Sequence, residues 1–126
     1  MSLTNTFETT VLTWLLTDGS ATRPTVWYIG LFTDDPGETG SGTEISGGSY
    51  ARTAVTFTVS GDTASNSAGV EFPAATANWG TITHIGIMDA ETSGNMIIHA
   101  ALTASKTIAD GDVFRIPTSE LDVTLN

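Results

Sequence analysis

Cysteine is absent from the sequence, and basic residues are scarce. Without cysteine the chain cannot form disulfides or thiolate zinc sites, and it cannot use a cysteine nucleophile. Only four Lys and Arg side chains accompany 14 Asp and Glu side chains, which gives a formal net charge of −10. Because a field of this sign repels phosphate groups, we expect the protein to bind neither nucleic acid nor an anionic membrane surface.

Long apolar runs are also missing. No apolar run approaches the roughly 18 residues of a membrane span, and the start, MSLTNTFETT, lacks the basic region of a signal peptide. We therefore expect neither a membrane span nor a cleaved signal. Hydrophobic residues nevertheless make up 40% of the chain, and a chain of this length can bury a sizeable core, so residues 1–126 are predicted to form a single domain.

One amphipathic helix is predicted over about residues 5–17. Asn5 and Glu8 have the spacing of a capping box, and apolar residues recur at helical spacing from Phe7 to Trp14. The helix contains several Thr residues, which makes it weak in isolation. We therefore expect it to pack against a sheet face, with Trp14 in the core.

Short apolar or alternating segments, separated by turn residues, predict about seven strands in the rest of the chain. Their number and spacing are typical of a sandwich or barrel. The predicted fold class is therefore mainly β, a β-sandwich of jelly-roll type with one N-terminal α-helix. A hairpin loop is predicted at residues 91–95. The predicted strands cover residues 26–32, 52–59, 68–72, 81–88, 96–102, 113–116 and 121–125.

Residues 34–49, DDPGETGSGTEISGGS, are rich in glycine and acidic residues. This composition predicts an exposed loop. Its carboxylates could bind calcium, but the residue order of an EF-hand is missing, so we predict no metal site. A loop of this kind is instead suited to contact a partner. The acidic charge favours solubility, with steering toward a basic partner as the alternative. The candidate partner-binding residues are Asp34, Asp35, Glu38 and Glu44, with Tyr50 and Arg52 at the end of the loop.

The sequence lacks the common catalytic and cofactor-binding motifs. The sequence has no G-x-S-x-G elbow, no Walker pattern and no HExxH spacing, so no catalytic residue and no cofactor is predicted. His84 and His99 lie in apolar strands and are predicted to be core-edge side chains with hydrogen-bond partners. Trp27, Tyr50 and Trp79 are candidates for a sugar-binding platform, with packing in the core as the alternative. The chain is therefore predicted to bind and assemble rather than to catalyse.

Three groups of motifs resemble a known family. They are YIGLFT with ISGGSYAR, then VEFPAA with NWGTITHIGIMD, and finally ALTASK with GDVFRI and LDVTL. This layout resembles small virion proteins of tailed bacteriophages that are commonly labelled phage tail fibre proteins. The resemblance extends over nearly the whole chain.

The resemblance implies a structural protein at the surface of the phage particle. The chain has neither the heptads nor the repeats of a fibre shaft, which favours a capsid decoration (cement) protein that binds the major capsid protein and stabilises the head. The alternative is a tail fibre or tail-tip receptor-binding module, whose partners would be tail proteins or a host surface receptor. Decoration proteins of this size imply a homo-oligomer, for which a trimer suits a three-fold position.

Overall fold

The computed structural model describes residues 1–125 and contains one helix and ten strands in that part of the chain. None of the helical structure within residues 1–125 is long and apolar enough to cross a membrane. The mainly β class with one N-terminal helix is confirmed. The elements in chain order are β1 (Ser2–Leu3), α1 (Asn5–Leu16), β2 (Tyr28–Phe32), β3 (Thr53–Ala54), β4 (Phe57–Ser60), β5 (Thr63–Asn66), β6 (Val70–Glu71), β7 (Gly80–Met88), β8 (Met96–Ile108), β9 (Arg115–Ile116) and β10 (Asp122–Thr124).

The strands form three antiparallel sheets. The largest has the order β1-β8-β7-β2-β3, the second has the order β10-β5-β4, and β6 pairs with β9. β7 and β8 form the central hairpin, and its loop contains the predicted turn at residues 91–95. β8 continues past the predicted end at residue 102, because its polar C-terminal half pairs with the start of β7, where Lys106 faces Ile82 and Thr107 faces Thr81.

The sheets share one buried core. Ile29 of β2 and Ile82 of β7 are completely buried, and they belong to the same cluster as Val70 of β6 and Phe114. Phe57 and Val123 of the three-stranded sheet pack against this cluster. Sheets that cover one another around a common core agree with the predicted sandwich, while the jelly-roll connectivity stays a prediction.

The N-terminal helix is placed differently from expectation. Phe7 is its only buried residue, and Trp14 is 64% exposed, so the prediction that Trp14 lies in the core is wrong. The predicted capping box is also wrong, because Thr4 occupies the N-cap position and makes no side-chain bond to the helix. The Thr4 hydroxyl instead donates to the Met96 carbonyl at 2.6 Å. The helix is therefore attached to the sheet at its N-terminal end, while its later turns project from the body.

The strand predicted over residues 52–59 is divided between two sheets. β3 pairs with β2 in the large sheet, and β4 pairs with β5 in the three-stranded sheet. Between them, the backbone N–H of Val55 donates to the carbonyl of Trp27. Val55 is buried whereas Val59 is 70% exposed, so the expected single apolar face does not exist. Alternation in a sequence cannot show where a strand passes from one sheet to another.

β5 was not predicted, because its sequence TASN is polar. The strand is fixed by Asn66, which is completely buried. Its side-chain amide donates to the carbonyls of Ala68 and Pro117, both at 2.9 Å, and its side-chain oxygen accepts from the N–H of Leu121 at 2.9 Å. All three bonds of this buried amide are made to backbone groups of the protein. A polar side chain can therefore hold the start of the last strand in place.

Candidate contact surface: the acidic loop

The loop of residues 34–49 is folded onto the end of β2. The N–H of Thr33 donates to the carbonyl of Thr43, and the N–H of Ile45 donates to the carbonyl of Leu31, both at 3.0 Å. Pro36 and Ile45 are buried, while the tip of the loop is exposed. The predicted exposed loop is therefore a closed excursion from a strand, with an ordered base.

Asp34 closes the base of this loop. Its carboxylate accepts from the N–H of Thr43 at 2.6 Å and from the hydroxyl of the same residue at 2.9 Å. The backbone bond first, and the hydroxyl bond second, lower the pKa of Asp34 below its ordinary value. Across the loop, a Cβ on Gly42 would lie 2.7 Å from the Cα of Pro36. The chain thus approaches itself closely enough that only glycine fits at this position.

Glu44, Tyr50 and Arg52 form one network directed toward the body of the protein. Arg52 donates to both carboxylate oxygens of Glu44, each at 2.8 Å, and the Tyr50 hydroxyl donates to Glu44 Oε1 at 2.7 Å. Nη1 of Arg52 also donates to the carbonyls of Ala90 and Ser93, at 3.0 and 2.7 Å. The arginine therefore ties the acidic loop to the β7–β8 hairpin loop.

The electrostatics of this network favour the ionised pair. Burial opposes ionisation of Glu44, but the hydrogen bonds from Arg52 and Tyr50 outweigh it and place the pKa of Glu44 below its ordinary value of 4.5. The bond to Glu44 raises the pKa of Arg52. Burial, reinforced by the nearby carboxylate, raises the pKa of Tyr50 well above its ordinary value. These three predicted contact residues are thus engaged within the chain and hold the loop in shape.

Asp35 and Glu38 are exposed, as Asp34 is, and they lie beside the histidines. His99 Nε2 is 3.1 Å from Glu38 Oε1, and Ser2 donates to the same oxygen at 3.2 Å. Asp35 Oδ1 lies 3.8 Å from His99 Nδ1 and 3.9 Å from His84 Nε2. Each histidine is half-buried with a hydrogen-bond partner, as predicted, and the partner of His84 is the hydroxyl of Thr83 at 2.8 Å. Their proximity to the acidic loop was not predicted, because it depends on the pairing of β7 with β8.

The aromatic residues proposed as a sugar platform pack inward. Tyr50 stacks on Phe72 with ring centroids 6.3 Å apart and meets the edge of Trp79 at 5.4 Å. Trp79 is buried, and its Nε1 donates to the carbonyl of Gly48 at 2.8 Å. Trp27 is half-buried against the core. These aromatic residues therefore pack in the core, which was the alternative to a sugar platform.

No group of three His, Asp or Glu side chains within residues 1–125 has metal-binding geometry.

Together, a mainly β body and an ordered acidic loop define a small β-rich protein. The sequence matches a family model described as podophage GP4 fiber I protein gp80, over residues 2–124. Because this match spans nearly the whole chain, the protein belongs to that family of fibre-type virion proteins. The resemblance seen in the sequence motifs is confirmed, and the protein is a component of a phage particle. No curated protein matches the sequence.

Proposed function

We propose that the protein is a structural component of the phage tail fibre apparatus, which it joins through protein–protein contacts. The observation that carries this proposal is the match to a fiber I protein family over residues 2–124. The sequence left two positions on the particle open, the head and the tail. The tail agrees with this family description better than capsid decoration, which was the first expectation.

Support for decoration comes from the absence of a fibre shaft in this sequence. That absence does not separate the two positions, because the shaft of a fibre can belong to another chain. The family description then favours the tail, and no structural feature of residues 1–125 favours the head in particular. The major capsid protein is accordingly the less supported partner, and a tail protein is the proposed one.

The acidic loop is the proposed site of attachment. Asp35 and Glu38 present carboxylates that are 65% and 46% exposed, on a base held by Asp34 and by the Glu44–Arg52 pair. An ordered loop loses little conformational freedom when it binds, which favours affinity. The protein carries a net charge of −10. The partner surface should therefore be basic, because complementary charge increases the association rate.

The proposed role is non-catalytic. Four of the six candidate residues carry a carboxylate, and that of Glu44 is the most enclosed. Both of its oxygens accept hydrogen bonds from Arg52 or Tyr50. A carboxylate held in this way is unsuited to accept or donate a proton during a reaction. Purified protein should therefore release no product from host polysaccharide, and turnover that is lost on mutating Asp35 or Glu38 would contradict the proposal.

The attachment site is tested by complementing a phage that lacks the gene. The double variant Asp35→Asn/Glu38→Gln should be incorporated into particles less than wild type, as measured by quantitative mass spectrometry of purified virions. Asp110→Asn/Glu120→Gln removes the same charge from exposed turns elsewhere and should be incorporated normally. Equal incorporation of both variants would show that the loop is not the attachment site.

Copy number separates the tail from the head. A tail fibre component should be present in a small fraction of the number of major capsid subunits in the same particles. Copies approaching the number of capsid subunits would contradict the tail proposal and support decoration.

A further inference from the structure

The outer part of helix α1 carries a set of large apolar side chains that are mostly exposed. Trp14, Leu15 and Leu16 are 64%, 62% and 72% exposed, and Val11 and Leu12 are 41% and 55% exposed. Val11, Trp14 and Leu15 lie three or four positions apart on one side of the helix, and Leu12 and Leu16 extend this apolar face around the helix. This face, which we call the helix arm, contains no charged residue from Thr9 to Thr17.

The arm lacks the support that a helix of its kind requires. It has only 12 residues, and four of them are Thr, so its intrinsic stability in water is marginal. Within residues 1–125, Phe7 is the only side chain of the helix that is buried. Its later turns would be stabilised by covering the apolar face, as in most amphipathic helices.

A second uncovered apolar surface adjoins the arm. A groove of about 330 Å³ runs between the N-terminal strand and the three-stranded sheet. Met1, Val59 and Leu125 line it and are 55%, 70% and 70% exposed. Val11 of the arm lines the same groove, and it also lines a neighbouring groove that includes Trp14. The arm and this sheet groove are therefore one continuous apolar surface.

The size of this surface is that of a protein–protein interface. Eight large apolar residues at these exposures present on the order of 1,000 Å² of surface. The largest apolar patch of a typical monomer is about 300–600 Å², whereas a standard interface removes about 800 Å² from each partner. The surface is thus larger than a monomer usually leaves uncovered, and it is sufficient for a stable dimer contact.

We propose that the occupant of this surface is a second copy of the same chain, with the helix arm of one copy packed on the arm and sheet groove of the next. Two apolar surfaces in one chain can cover each other when copies associate. Since each copy carries a charge of −10, copies can approach only through an uncharged region, and the arm supplies one. Asp62 is the acidic residue that lines the groove, so attraction to a basic partner would contribute little here compared with apolar contact.

This proposal gives the expected homo-oligomer a specific interface, and it holds whether the protein belongs to the tail or the head. Repetition of the contact around a closed ring covers the apolar surface of every copy. The acidic loop remains outside the interface and free for another partner.

Sedimentation velocity of the full chain, over about 1 to 100 µM, tests the proposal. Wild type should sediment as an oligomer. Leu15→Glu in the arm and Val59→Glu in the groove should each weaken association by about tenfold or more, because each variant buries an unpaired carboxylate in the contact. Thr6→Glu adds the same charge to an exposed position on the side of the helix opposite Leu15, and it should associate as wild type does.

Circular dichroism of the diluted variants establishes that they remain folded. A monomeric wild type throughout this range would overturn the proposal, as would an oligomer that both charged variants leave intact. If wild type is monomeric, yet Leu15→Glu abolishes incorporation into particles, the occupant is another virion protein and the proposal of a second copy is wrong. Retention of the monomer on lipid vesicles through Trp14 would also contradict it.

Discussion

Replacement of Arg52 by alanine is predicted to be among the most damaging single changes in the polar part of the molecule. The arginine makes four hydrogen bonds, two to Glu44 and one each to the carbonyls of Ala90 and Ser93. Its side chain is only 10% exposed, and that of Glu44 is 25% exposed. Arg52→Ala would leave one carboxylate and two carbonyls without these partners in a partly enclosed site.

The expected loss of stability follows from this arrangement. Removing one partner of a buried pair costs about 3 to 5 kcal/mol, and partial exposure places this site near the lower end, at about 3 kcal/mol. For a domain of this size, that loss corresponds to a decrease in Tm of roughly 10 °C. Denaturant unfolding and thermal unfolding, followed by circular dichroism at one fixed protein concentration, measure both quantities.

Arg115→Ala is the matched control. Arg115 pairs with Glu71 at 3.0 Å, but both side chains are more than 60% exposed, so its loss should cost only about 0 to 1 kcal/mol. Similar small losses for the two variants would refute the reasoning, because they would show that enclosure and the two carbonyl bonds add nothing at Arg52.

Three further predictions concern pH, the helix and the loop. Because the folded-state pKa of Glu44 is lowered, its contribution to stability is present above its ordinary pKa of 4.5 and is lost as pH falls through the folded-state pKa. Wild type should therefore lose more stability than Glu44→Gln on acidification below pH 4.5. An equal loss of unfolding free energy in the two proteins would contradict this. Trp14→Ala should cost the isolated monomer less than about 1 kcal/mol, against about 3 to 5 kcal/mol for Phe7→Ala; equal losses in denaturant unfolding would place the arm in the core. Gly48→Ala, with φ +58° and a Cβ position 2.9 Å from Trp79 Nε1, should cost about 1 to 3 kcal/mol and alter the near-ultraviolet dichroism, whereas an unchanged spectrum and stability would show that the loop adapts.

The elements that the sequence predicted well are those with a local signal. β2 is a nearly continuous apolar segment covered on both faces, as is the second half of β7, and the helix has apolar residues at helical spacing. The apolar stripe of the helix did not reveal its environment, since a face that packs on a sheet and a face that packs on another molecule have the same spacing. Trp14 was assigned to the core for that reason.

The candidate site was predicted in composition but not in arrangement. Glu44 and Arg52 are eight residues apart, and nothing local shows that Arg52 pairs with Glu44 and also bonds the hairpin loop at Ala90 and Ser93. Asp35 and Glu38 reach His84 and His99 only because β7 and β8 pair in the observed register. Long-range pairing of this kind has no local sequence signal.

The position of the protein on the intact particle tests the central claim most directly. Gold-labelled antibody raised against the purified protein, viewed on whole virions by electron microscopy, reports this position without a mutation. We predict label at the tail, in few copies, and none distributed over the head. Label spread evenly over the capsid faces, with a bare tail, would contradict the assignment to the fibre apparatus.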